Sequence, residues 1–180
     1  MRKTLLFLVA AIGLAAVGAQ AQAWQTELGF QGGFVRLKPA GTGRNDHTDL
    51  FTAPGFNLGP ALPTPSALFM IVPLSPKVAL EPSLSVDVLS QTNTATVLQA
   101  GVRIDYAIAS GLYGAGGALL GRLSNAGYEA GLQVAGGYRF HLTGPVHARV
   151  EANVQTWKGK HGAINPSDTY GVLFGISARL

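Results

Sequence analysis

The feature that most constrains this chain is a period of two. Tyr128, Ala130, Leu132, Val134, Gly136, Tyr138 and Phe140 share one parity, and Glu129, Gly131, Gln133, Ala135, Gly137, Arg139 and His141 share the other. Residues 146–154 repeat the pattern, with valines and alanines set against His147, Arg149, Glu151 and Asn153. Residues 170–180 do so again, with Tyr170, Val172, Phe174, Ile176, Ala178 and Leu180 on one side. Successive side chains of a strand point to opposite faces, so each segment predicts a strand with one apolar face and one polar or small face. Residues 80–88 and 98–106 match. Residues 26–37 and the Gly-rich stretch 112–122 carry the pattern more weakly. Residues 67–74 are apolar on both parities, so their orientation is unreadable. The expectation is eight strands, with no helical period competing.

The connections alternate as well. A long Pro/Gly-rich segment, residues 39–65, follows the first strand, and residues 90–94, 123–127 and 158–167 follow later ones. Tight turns at 75–76, 109–111 and 143–144 fall between them. Longer loops at one end and tight turns at the other are the rhythm of an up-and-down antiparallel barrel. An even strand count puts both termini at the tight-turn end.

Periodicity alone does not say which face meets solvent. A soluble periplasmic barrel of the lipocalin kind would turn the apolar face inward around a small apolar ligand. Three features favour a membrane barrel. No acidic residue of the phased strands lies on the apolar parity. The opposite parity is rich in Gly, Ala, Ser and Gln and has no Lys inside a phased strand, whereas a solvated outer face holds more Lys and Glu. Only 12% of the residues are charged, about half the ~25% of ordinary soluble domains. Finally, Trp24, Tyr106, Tyr128, Tyr138, Phe140 and Tyr170 sit near strand ends, as interfacial aromatic girdles do.

The amino terminus reads as an address. Arg2 and Lys3 precede an apolar run and then Ala21-Gln22-Ala23, the layout of a secretory signal peptide spanning residues 1–23. The barrel domain is then 24–180. Losing Arg2 and Lys3 leaves 11 basic against 9 acidic residues, so the basic balance says little about nucleic acid. The chain has no cysteine, which removes disulfide scaffolds, thiolate metal sites and thiol catalysis.

On the leader, the eight alternating strands and the strand 170–180, the chain resembles the small eight-stranded bacterial outer-membrane barrels, such as the OmpA transmembrane domain and OmpX. The resemblance implies an all-β, eight-stranded antiparallel transmembrane barrel, located in the outer membrane of a Gram-negative type envelope and monomeric. Its implied partners are membrane lipid, lipopolysaccharide and the outer-membrane assembly machinery. The family usually ends on an aromatic residue, and Leu180 departs from that.

The inward parity defines a candidate lumen charge network: Glu27, Glu81, Asp87, Arg103, Asp105, Glu129, Arg139, His141, His147, Arg149, Glu151 and Arg179. Eight strands leave an interior that side chains fill. The network is therefore read as a salt-bridged plug, with an ion path as the competing reading. Some barrels of this size modify lipid A. The deacylases among them carry a His-x-Ser pair, and none of His47, His141, His147 and His161 is followed by that pattern. His47 with Asp46 or Asp49, and His161 with Ser167 and Asp168, imitate a palmitoyltransferase set only loosely. No catalytic, metal or cofactor site is assigned. The glycines at 114–117 lack the Lys and helix of a phosphate loop. Loops 39–65 and 158–167 are the expected contact surface.

Overall fold

The computed structural model of the chain describes residues 23–39, 48–53, 56–57, 65–90, 94–123, 128–158 and 166–180. The leader 1–22 and the histidines at 47 and 161 lie outside them. Ten strands form one antiparallel sheet: β1 (Glu27–Pro39), β2 (Thr48–Ala53), β3 (Phe56–Asn57), β4 (Ala67–Pro73), β5 (Val78–Ser90), β6 (Thr94–Ala107), β7 (Leu112–Leu123), β8 (Tyr128–Thr143), β9 (Val146–Lys158) and β10 (Pro166–Arg179). From β4 to β10 each strand pairs with its neighbour in sequence, and β4 pairs with β1. The first and last strands pair from Glu27↔Arg179 to Lys38↔Asp168 and close the sheet. The result is an eight-stranded barrel of β1 and β4–β10.

Two of the ten strands correct the sequence reading, which took 39–65 as loop. β4 covers only Glu27–Gln31 of β1, and β2 takes the adjoining stretch Gly33–Leu37. β3 folds back on β2. An unpaired strand edge facing lipid costs several kcal/mol for each orphaned backbone group, roughly. The insertion supplies partners that β4 is too short to give.

Tight turns gather at one end of the barrel, which also carries both described termini. Gly111 and Gly144 adopt left-handed backbone there, with φ of 72° and 53°, a region that favours a residue without a Cβ.

The wall has a sharp polarity. Leu28 is 55% exposed, Phe34 64% and Val134 64%, while Glu27 is 0% and Glu151 1% exposed. The apolar parity faces outward and the polar parity inward, along every strand whose phase was legible. That overturns the soluble alternative, in which the apolar face would surround a ligand. β4 is now oriented: Ala67, Phe69 and Ile71 point in, Leu68 and Met70 out. β7 is phased by Tyr113 and Leu119 inside and Leu120 outside.

The lumen is not polar throughout, as the sequence reading expected. Trp24, Phe69, Ile71, Ala79, Ala107 and Tyr113 form a buried apolar cluster at the turn end. Trp24 thus leaves the girdle it was assigned to. It precedes β1, where strand parity no longer governs direction, and its ring meets Tyr113 edge-on at 5.9 Å between centroids.

Candidate functional site

The interior charges fall into two groups stacked along the barrel axis. The lower one centres on Glu27 of β1. Its carboxylate accepts from Arg139 of β8 and, at 2.6 Å, from Ser177 of β10, and it lies 3.0 Å from His147 Nδ1 of β9. Arg139 also lies over the Trp24 ring, 5.3 Å from its centroid. This group lies beside the apolar cluster, Glu27 standing opposite Ile71 in the β1–β4 register.

The upper group is larger. Arg103 of β6 donates through both Nη atoms to the two carboxylate oxygens of Glu151 of β9, at 2.9 and 2.7 Å. It also lies 3.1 Å from Glu81 of β5 and 2.9 Å from Asp105. Arg149 of β9 donates to Glu81 at 2.5 Å and to Gln31 of β1. The Tyr113 hydroxyl donates to Glu151 at 2.8 Å, and Asn153 Nδ2 donates to it at 3.1 Å. Arg149 stacks on Phe69, 3.6 Å from the ring centroid. Desolvated contacts of this kind are worth ~2 kcal/mol or more. Every charged member of the two groups is buried. Buried charges persist when paired and hydrogen-bonded; every carboxylate here is ion-paired, but Asp105 meets Arg103 without a hydrogen bond to either of its oxygens.

Register explains how such long side chains fit. Arg103 stands opposite Gly117, Arg149 opposite Gly175, and Glu151 opposite Gly137. A Cβ on Gly117 would approach the Arg103 Cα and Cβ to 2.5 Å. The inward glycines leave the volume that the charged side chains occupy. Arg139 and Arg149 stand directly opposite each other, an unfavourable pairing of like charges. Each guanidinium is therefore turned to a different carboxylate.

Of the twelve network residues read from sequence, eight are brought together: Glu27, Glu81, Arg103, Asp105, Arg139, His147, Arg149 and Glu151. His141 and Arg179 are exposed at the turn end, though the His141 ring meets His147 at 5.3 Å. Glu129 is half-buried near the loop end, and the Asp87 side chain lies outside the described residues. Sequence reasoning missed Gln31, Phe69, Tyr113 and Asn153. Parity points Gln31 and Asn153 inward, but nothing local marks Gln31 as a partner of Arg149, 118 residues away, and Asn153 meets Glu151 two residues before it on the same strand.

The outer wall carries aromatics at both ends. Tyr106 and the stacked pair Tyr138–Phe140 lie toward the turns, and Tyr128 and Tyr170 toward the loops. Charged residues on the outward parity occur only near the loop end of the wall among the described residues: Arg36, Lys38, Asp49, Arg122, Lys158 and Asp168. Arg122 lies 5.3 Å above the Tyr128 ring. No group of three His, Cys, Asp or Glu able to hold a metal is present among the described residues.

Apolar girth, aromatic ends and a closed, ion-paired interior are the marks of one architecture. The chain folds as a small outer-membrane β-barrel. Neisserial surface protein A matches with a TM-score of 0.57 at 11% identity, over 88% of this chain and 99% of that one. Ail, the attachment invasion locus protein of Yersinia pestis, matches with a TM-score of 0.49 at 10% identity, over 89% and 99% of the two chains. The outer membrane protein OprG of Pseudomonas aeruginosa gives 0.48 at 11% identity, over 91% and 100%. The first of these carries the likeness of fold. No family model matches the sequence, and no curated protein matches it. The outer wall of this barrel carries the apolar girth of a membrane-facing surface.

Proposed function

We propose that the barrel has a structural and surface-interaction role, with the interior acting as a plug and the loop end as the contact surface. The observation that carries this is the buried network of three arginines and four carboxylates across the lumen. A solute path needs mobile water and replaceable contacts. Here the guanidinium of Arg103 alone spans three carboxylates. At the loop end, Arg122 and Lys158 form a basic arc on β7–β9, which supports an anionic partner such as the phosphates of lipopolysaccharide. The segments 39–65 and 158–167, most of whose residues lie outside the described ones, complete the proposed contact surface.

Two measurements test the reading. The protein refolded in detergent should run faster on gels unboiled than boiled, and in a planar bilayer it should give no steady conductance steps. Removing the plug with Arg103→Ala plus Glu151→Ala should introduce conductance while the gel shift persists. Steady conductance from the wild-type barrel would overturn the plug. For the basic arc, Arg122→Ala with Lys158→Ala should weaken lipopolysaccharide binding in a salt-dependent way, and unchanged binding would remove that partner.

A further inference from the structure

The hydrogen-bond ladder between β4 and β5 has a gap. Leu68 pairs with Leu84 and Phe69 with Ser83, then Val72 with Leu80 and Pro73 with Ala79. The register is the same on both sides, so Met70 stands level with Pro82, and Ile71 with Glu81, without pairing. Proline has no N–H to donate. Toward β6 the same strand is continuous, with Glu81, Pro82 and Ser83 paired to Arg103, Val102 and Gly101. The missing donor therefore belongs to the β4 side. The Met70 carbonyl loses the partner that any other residue at position 82 would give it. No other described residue donates to it. Proline is ordinarily kept to edge strands and bulges, yet β5 has neighbours on both sides and no register shift.

A hollow of about 240 Å³ lies on the outer wall at this gap, lined by Leu28, Leu68, Met70, Pro82 and Leu84, all on the outward parity. A water molecule takes about 30 Å³, so the hollow has room for roughly eight heavy atoms. Its depth limits what can fill it. Val78 stands opposite Tyr106 at the turn end. Position 82 is further along β5, and at about 3.3 Å per residue that is roughly 13 Å from the aromatic edge. Water is absent from the hydrocarbon core, and headgroups lie outside it. An unpaired acceptor at that depth is matched by an apolar molecule that brings its own donor.

We propose that this hollow is a binding site for a small apolar molecule carrying one hydroxyl group, of the class of medium-chain alcohols. The hydroxyl donates to the Met70 carbonyl in place of the absent Pro82 N–H. The hydrocarbon part lies against Leu28, Leu68 and Leu84. The acceptor selects a donor, and the volume limits the chain to about seven carbons. The site is on the wall and is independent of the plug.

Met70 is its own reporter. The chain has only two methionines, Met1 and Met70, so methionine labelled with the heavy carbon isotope at its carbonyl gives a spectrum in which Met70→Leu assigns the resonance. Titrating n-heptanol into the protein folded in detergent should move the Met70 carbonyl resonance downfield and saturably. The methyl ether of the same alcohol lacks the donor and should leave it in place. Pro82→Ala restores the N–H, closes the ladder and should abolish the response while the gel shift persists. Leu68→Trp fills the hollow and should weaken the response roughly tenfold or more by excluding the hydrocarbon. A resonance that n-heptanol does not move in the wild type overturns the proposal. So does an equal shift with the ether, or a full response in Pro82→Ala. If Pro82→Ala does not fold, Leu68→Trp decides, because an unchanged response in that variant overturns the site.

Discussion

Arg103–Glu151 in the lumen and Arg36–Asp49 on the outer rim are the same chemical object. Both are two-pronged arginine–carboxylate pairs across strands, at 2.9 and 2.7 Å in one and 2.6 and 2.7 Å in the other. They differ in surroundings. The first is almost fully enclosed, with Glu81, Asp105, Tyr113 and Asn153 around it. The second leaves 41% of the arginine and 56% of the carboxylate side chain exposed. Geometry does not rank these pairs; environment does. In a low dielectric an unpaired charge is costly, so the inner pair enforces structure. At the surface, water or headgroups replace a lost partner, so the outer pair contributes little stability.

The largest break in that comparison comes from stranding a buried charge. Glu151→Ala leaves Arg103 with fewer partners and takes an acceptor from Tyr113. It should cost about 3–5 kcal/mol, read as a lower urea midpoint for loss of the compact gel band. Tyr113→Phe removes one hydrogen bond to a buried carboxylate and should cost about 1.5–3 kcal/mol by the same assay. Two neighbouring glycines sharpen the contrast between inside and outside. Gly117→Ala drives a methyl group into Arg103 and should cost about 1–3 kcal/mol. At Gly116, on the outward parity, an added Cβ has its nearest neighbour 3.9 Å away, and the midpoint should stay within error. The smallest effect is at the rim, where Arg36→Ala should leave the midpoint unchanged at any salt concentration. A drop as large as that of Glu151→Ala would end the distinction between the two pairs.

The sequence made one half of this contrast legible. Strict alternation oriented β5, β6, β8, β9 and β10, because one face of each is apolar and the other carries the charges. β4 stayed unread because Phe69 and Ile71 turn inward to build the apolar cluster, making both of its parities apolar. β2 was hidden for a different reason. Its outward parity holds Asp49 beside Phe51, breaking the apolar-out rule that revealed the other strands. Trp24 was misplaced because it lies just before the first strand begins. The inward charges were named from parity, but their partners were not. Glu27 and Arg139 are 112 residues apart, and only register brings them together. The glycines opposite Arg149 and Glu151, Gly175 and Gly137, were visible as inward-parity glycines, whereas Gly117, opposite Arg103, lies in the Gly-rich stretch whose phase was not legible; the purpose of all three depends on knowing which strand lies alongside.

The pairing of β1 with β10 has a consequence in time as well as in space. The strand made first cannot be satisfied on that side until the strand made last has emerged. Glu27 carries the same dependence, since Arg139, His147 and Ser177 all arrive far behind it. Such distant closures are slow to form, and this one does not lend itself to piecemeal acquisition during synthesis. Until then the leading segments must be kept from pairing with other chains. The barrel is therefore built to be delivered unfolded and shut in one late act, with its final strand as the clasp.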